Sequence, residues 1–293
     1  MKNKSKPGSM GTLSTLKTKE KHPTVAFLGP KGTFTQQAAI KFFSKRKAKF
    51  LELESLQEVF EAVAEGKATY GVVPVENSVE GSVNLTLDLL YKSNLKICGE
   101  ILEEIKHSLI VNRGTDKSKI KVILSHPQAL SQCRTYLDEN FPKAKRKEVE
   151  STASAVRKLK RMKNAAAIGT ELAAKIYGMK ILEKNLCDWP QNLTRFIVLS
   201  QSDSKPTGKD KTSLIFSTKD VPGALHKALE PFASRSINLT KIESRPSKEK
   251  PWEYVFFMEF EGHRKDEKCA EAIGDLRSLC EFLKVLGSYR RAS

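Results

Sequence analysis

The strongest constraint on this chain is a change of pattern on either side of one polar stretch, Gln201 to Lys211 (QSDSKPTGKDK). Pro206 and Gly208 punctuate it, so it reads as a linker between two folding units. Beyond it the pattern is compact. Ser213 to Ser217 is a predicted strand. Asp220 and Pro222 announce a helix as N-cap and early-turn residues, with Leu225, Ala228, Leu229 and Phe232 on its apolar face. Ile237 and Leu239 alternate with Asn238 and Thr240 in a second strand. Trp252 to Phe260 is a third strand, Cys269 to Phe282 a second helix and Val285 to Tyr289 a last strand. The order βαββαβ is the ferredoxin-like plan, which serves many roles and assigns none by itself.

Before the linker, strands and helices alternate. Val25 to Leu28 is a short buried-strand signal that stops at Gly29-Pro30. Gly32 keeps the turn open for a helix from about Thr35, with Ala38, Ala39, Phe42 and Phe43 facing inward. Ser55 and Glu58 have capping-box spacing. Leu56, Val59, Phe60 and Val63 then give a helical apolar stripe that Gly66 ends. Tyr70 to Val75 is a strand. Ser108 to Val111, Lys121 to Leu124, Ala129 to Leu137, Ala153 to Leu159, Ala165 to Ile168 and Glu171 to Tyr177 continue the alternation, which implies α/β layering around a parallel or mixed sheet.

At 293 residues the chain fits about two domains. Its five cysteines form no CxxC pair, which argues against a zinc site or disulfide framework and for a reducing cytoplasm. No apolar run approaches a membrane span. The net charge of +17 admits a nucleic-acid reading. Yet lysines dominate and are spread along the chain, no nucleic-acid motif appears, and the densest basic run, Lys143 to Lys163, reads as a solvated face. Residues 1–22 are polar and lysine-rich without an apolar core, so they are expected to be a disordered basic tail and not a secretory signal.

Five blocks point to chemistry. Asn192-Leu193-Thr194-Arg195-Phe196 sets a hydroxyl beside a permanent cation at a strand entrance, where the pair could hydrogen-bond a leaving oxygen and clamp a carboxylate. The others are GPKGTFTQQAA (Gly29 to Ala39), PVENSVEGSV (Pro74 to Val83), SHPQALSQC (Ser125 to Cys133) and ESRP (Glu243 to Pro246). In this order they resemble prephenate dehydratase with a C-terminal ACT regulatory domain, over residues 24 to 290. The resemblance implies a two-lobed, periplasmic-binding-protein-like α/β catalytic domain over 24–200, with its active site between the lobes. Lobe one is expected over 24–98 plus 180–200. A ferredoxin-like βαββαβ ACT domain is expected over 212–290. The chain is too short at its start for the helical chorismate mutase domain that some members carry, so a monofunctional enzyme is expected.

That enzyme removes a ring hydroxyl and a ring carboxylate together, releasing phenylpyruvate, carbon dioxide and water, with no metal or cofactor. The resemblance makes Thr194 the residue that hydrogen-bonds the departing hydroxyl and Arg195 a carboxylate ligand. Asn77, Ser125 and Gln132 complete the expected catalytic set. Thr33, Ser78, Ser82, Ser151, Thr152 and Phe196 are expected to bind substrate, although Ser78 could equally cap a helix and Phe196 could equally be core. Glu150 is a proton donor only if desolvated, and a surface carboxylate otherwise. His126 reads better as a turn residue than as an acid–base group, and His107 is left open between a site and a structural role. The Gly29 to Thr35 segment lacks the GK[ST] ending of a phosphate loop, which leaves Thr33 and Lys31 at the cleft mouth. In the ACT part, Gly223, Ala224 and Leu225 with Glu243, Ser244, Arg245 and Pro246 match the family's phenylalanine-recognition segments. Asn238 and Leu239 would line the pocket across a dimer interface. L-Phenylalanine is then a feedback inhibitor, and a homodimer or homotetramer is expected. Arogenate, the aminated analogue, is an alternative substrate. A non-catalytic amino-acid sensor is an alternative role.

Overall fold

A computed structural model describes residues 22–189, 191–248 and 253–292. The tail reading of 1–22 therefore lies, His22 apart, outside the described residues, as does Trp252. The elements run β1 Thr24–Leu28, α1 Phe34–Phe42, β2 Lys49–Leu53, α2 Leu56–Ala64, β3 Tyr70–Asn77, β4 Gly81–Ser82, α3 Asn84–Lys92 and β5 Lys96–Glu104. Next come β6 Ser108–Val111, β7 Val122–Ser125, α4 Pro127–Gln132, α5 Arg134–Asn140, β8 Lys145–Glu148, α6 Thr152–Lys158, β9 Ala165–Gly169, α7 Glu171–Tyr177 and β10 Lys180–Glu183. After them stand β11 Leu193–Ser200, β12 Asp210–Ser217, α8 Ala224–Ala233, β13 Leu239–Pro246, β14 Tyr254–Glu261, α9 Glu267–Leu279 and β15 Phe282–Arg290.

Three sheets result. The first has the order β2-β1-β3-β11-β5, with β4 paired to β3. Strands β1, β2 and β3 are parallel, and β11 runs antiparallel between β3 and β5. The second has the order β10-β6-β9-β7-β8. Two lobe boundaries differ from expectation. Strand β5 carries lobe one through Glu104 and not to 98, while β10 pairs with β6, so residues 180–183 belong to lobe two. Edge strands β2, β8 and β10 lack a clear apolar alternation, which hides them from a pattern reading. The predicted helix over Ala129 to Leu137 is two helices, broken at Cys133.

Local signals act as read. The Ser55 hydroxyl accepts from the Glu58 amide and caps α2, and the Glu58 carboxylate accepts from the Glu54 amide. Gly32 sits at φ +93°, and a Cβ there would lie 2.7 Å from Ala173 of α7. Glycine is therefore required where the first turn of lobe one meets lobe two.

The C-terminal sheet, β13-β14-β12-β15, is fully antiparallel. Strand β12 begins at Asp210, inside the stretch read as linker. Alternation divides its two faces. Leu214, Phe216, Met258 and Phe260 pack under α8 and α9. Ile215, Val255, Phe257, Leu286 and Tyr289 join one core with Val75, Leu87, Ile97, Ile197 and Leu199 of lobe one. The approach is close at Gly287, where a Cβ would sit 2.2 Å from the Ile97 carbonyl oxygen.

Candidate active site

Between the lobes lies a cleft of about 730 Å³. Lobe one supplies Thr33, Phe34 and Thr35 from the start of α1, Asn77 from the end of β3 and Thr194 from the start of β11. Lobe two supplies His126 and Gln132 of α4 and the segment Glu150 to Lys158.

Pairing of β3 with β11 sets Asn77 opposite Thr194. The Asn77 amide donates to Thr194 Oγ1 (2.8 Å) and to Asn192 Oδ1 (2.7 Å), while its own oxygen accepts from the Val79 and Glu80 amides, both at 3.0 Å. Asn192 Nδ2 then donates to Gln132 Oε1 at 2.9 Å, which joins the lobes. Gln132 Oε1 also meets His107 Nε2 at 3.2 Å. Burial lowers the His107 pKa to about 4, although the Gln132 contact works the other way, so the ring is neutral near pH 7. Gln132 Nε2 is buried without a hydrogen-bond partner among the described residues. That donor is left for a bound molecule. Because Thr194 Oγ1 accepts from Asn77, its hydroxyl proton is likewise left to donate.

Other expected residues divide. Ser151 and Thr152 line the cleft, and the Ser151 hydroxyl caps α6 by accepting from the Ser154 amide at 3.0 Å. Thr33 lines it too, but donates to the Leu28 carbonyl and accepts from the Gln36 amide, so capping α1 occupies its hydroxyl. His126 caps α4 by accepting from the Gln128 amide. Glu150 is exposed. Backbone hydrogen bonding and Lys158, 3.0 Å away, hold its carboxyl below the ordinary range, which opposes a proton-donor role.

Six expectations need correction. Arg195 does not reach the cleft. Neighbours in a strand point to opposite faces, so with Thr194 inward its guanidinium turns to the C-terminal sheet and pairs with Glu76, Glu100 and Glu259. Ser125 is fully buried and donates to the Ile168 carbonyl at 2.8 Å, tying β7 to β9. Ser78 neither binds in the cleft nor caps a helix. It donates to the Gln191 carbonyl and accepts from the Leu193 amide at 2.9 Å. Ser82 donates to Glu243 and accepts from Lys241, at the contact with the C-terminal sheet. Phe196 is core, packed with Val25, Ala38 and Ile101. Lys31 is exposed and away from the lining; its carbonyl accepts from Tyr177.

Among the lining or linking residues that sequence reasoning missed, three bear on the chemistry. Asn192 stands inside the most informative block, but its role depends on a lobe two partner that sequence does not place. Arg157 and Lys158, in the last turn of α6, line the cleft. They belong to the basic run read as a solvated face, where their neighbours hide them. Both can pair with carboxylates of a dianion.

In the C-terminal unit, Ser244, Phe256 and Phe216 lie level across the sheet. Glu243 to Pro246 therefore share an end of the sheet with the loop that leads to Gly223, Ala224 and Leu225. Gly223 stands at φ +79° as the N-cap of α8. Leu239 pairs with Phe260 at the other end, beside Asn238. A single chain thus separates these groups. Among the described residues no group of His, Cys, Asp and Glu could hold a metal ion, and no helix is long and apolar enough to cross a membrane.

Comparison with known proteins follows this geometry. A family model described as prephenate dehydratase matches residues 25–204, and one described as ACT domain matches residues 212–278. A bifunctional chorismate mutase/prephenate dehydratase of Aquifex aeolicus is 48% identical over 273 residues, covering 93% of this chain and 75% of that protein. A prephenate dehydratase of Methanocaldococcus jannaschii is 42% identical, covering 90% and 97%. The crystal structure of a prephenate dehydratase from Arthrobacter aurescens in complex with L-Phe superposes with a TM-score of 0.85 at 37% identity, covering 92% of this chain and 90% of that one.

Proposed function

The chain belongs to the prephenate dehydratase family, with an ACT domain at its C-terminal side, and from that premise we propose how its cleft performs the reaction. The substrate is prephenate. As the bond from ring to carboxylate breaks, its electron pair enters the ring and expels the hydroxyl from the opposite carbon. The immediate products are phenylpyruvate, carbon dioxide and hydroxide, the hydroxide takes a proton from solvent to become water, and aromatisation drives the step. Thr194 donates its hydroxyl proton as a hydrogen bond to the departing oxygen, where negative charge grows. The hydrogen bond from Asn77 Nδ2 to Thr194 Oγ1 at 2.8 Å, which leaves that hydroxyl to donate elsewhere, is the observation that carries this reading. Arg157 and Lys158 hold substrate carboxylate, and Gln132 Nε2 supplies a further donor. Neutral His107 and paired Glu150 are poor proton donors at neutral pH.

L-Phenylalanine is the effector. Gly223 to Leu225 and Glu243 to Pro246 of one chain face Asn238 and Leu239 of another, because one chain holds them at opposite ends of its sheet. This reading requires at least a homodimer, with a homotetramer as its extension, and a cytoplasmic setting where prephenate is supplied. Phenylpyruvate release from prephenate is the test, run with and without L-phenylalanine and beside arogenate. Turnover of prephenate that phenylalanine suppresses supports both parts. Turnover of arogenate alone moves the chain to the sister activity, and turnover of neither by folded protein refutes the catalytic reading.

A further inference from the structure

The most unusual feature outside the cleft is a buried ionic cluster directly behind it. Arg195 Nη1 meets Glu259 Oε1 and Oε2 at 2.8 and 2.9 Å and Glu100 Oε2 at 3.3 Å. Its Nη2 meets Glu76 Oε2 at 2.9 Å. Lys211 pairs with Glu100 at 3.0 Å and Glu259 at 3.3 Å. Lys241 pairs with Glu76 at 3.1 Å and Glu243 at 3.1 Å. Side-chain exposure is 10% for Arg195, Lys211 and Glu259 and 3% for Glu100. Buried ion pairs contribute little net stability compared with well-packed apolar groups, so stability alone is a weak reason for this one.

Its position supplies a better reason. The step Arg195–Glu76 lies next to Thr194–Asn77 in the same ladder, and the register slips immediately afterwards, between Arg195 and Phe196. Regular pairing is therefore lost one residue from the groups that must be held. The Arg195–Glu76 contact spans β11 and β3 at that point. Both of its members are also held from the C-terminal sheet, Arg195 by Glu259 and Glu76 by Lys241.

We propose that Arg195 is a positioning residue for the Asn77–Thr194 pair, and that Glu259 makes the geometry of that pair depend on the seating of the C-terminal sheet. The inference rests on the dehydratase reading for its catalytic consequence. It needs no contact between Arg195 and substrate, and it makes β14 part of the apparatus that sets the cleft.

The test uses Glu259→Gln, which keeps side-chain size and removes the carboxylate charge that faces Arg195, alone and combined with Thr194→Val. A small misplacement of the catalytic pair is expected to lower kcat by roughly 10- to 100-fold with KM nearly unchanged. In the Thr194→Val background the same change should cost less than about 3-fold, because the hydroxyl being positioned is gone. Equal losses in both backgrounds, or a lowered Tm with kcat unchanged, overturn the proposal. A second readout does not need turnover. The Val79 and Glu80 amides are bonded to the Asn77 side chain, so Glu259→Gln should speed their hydrogen exchange while leaving β7 of lobe two unaffected. Unchanged exchange at both amides overturns the positioning role. A wild-type protein inert towards prephenate refutes the functional reading instead, and the exchange result still decides the role of Arg195.

Discussion

Replacing Thr194 by valine removes one hydroxyl and keeps the side chain's shape. The Asn77 amide group has two protons and three acceptors within reach: Thr194 Oγ1 at 2.8 Å, Asn192 Oδ1 at 2.7 Å and the Leu193 carbonyl at 3.2 Å. Two acceptors remain in the variant, so no buried donor is orphaned. The stability cost should be that of one net hydrogen bond, about 1 kcal/mol or less. In a protein of this size that lowers Tm by about 2–4 °C. The catalytic cost should be far larger. Losing a donor aimed at developing negative charge costs ~2.7–4 kcal/mol, or ~100- to 1,000-fold in kcat. KM should hardly move, because the ground state places less charge on the leaving oxygen. Thr194→Ser, which keeps the donor, should retain most of the rate. Phenylpyruvate release under saturating prephenate, with thermal unfolding of the same samples, gives both numbers. A Thr194→Val enzyme within about 3-fold of the wild-type kcat would refute the assigned role.

Asn192→Ala removes one of the hydrogen bonds between the lobes and leaves Gln132 Oε1 with His107 alone, so urea unfolding should show a loss of about 2–4 kcal/mol together with reduced turnover. Arg157→Ala should raise KM for prephenate by ~10- to 100-fold, the worth of one charge-assisted contact, with a smaller change in kcat; an unchanged KM removes it from substrate binding. The His107 pKa is about 4 in the folded protein against an ordinary 6.5, so the unfolded chain binds more protons between these values. Its contribution is complete above pH 6.5 and is lost as pH falls towards 4, by about 3 kcal/mol. Tm measured across that window should therefore fall more steeply for the wild type than for His107→Gln. Gly287→Ala drives a Cβ against the Ile97 carbonyl and should cost on the order of 2 kcal/mol or more, seen as a lower Tm.

Sequence alone determined what depends on near neighbours. The Ser55–Glu58 spacing specified a helix start, the apolar stripe from Leu56 to Val63 specified its buried face, and the order βαββαβ specified the second unit. The five motif blocks identified the family because each is a local string. Tertiary structure decided which way side chains face and what they meet. Thr194 and Arg195 are adjacent in sequence and divided by the sheet, because strand geometry sends alternate residues to opposite faces. Only the docking of the C-terminal sheet makes one face an ionic interface and leaves the other open to the cleft. Asn192 and Gln132 are distant in sequence, and their hydrogen bond exists only once two lobes close around it. Arg157 and Lys158 carry the same charge and are as exposed as their basic neighbours, so only the placement of α6 beside the cleft sets them apart. A pattern of residues encodes local periodicity and chemistry, whereas the long-range pairing that gathers a site is a property of the whole packed chain.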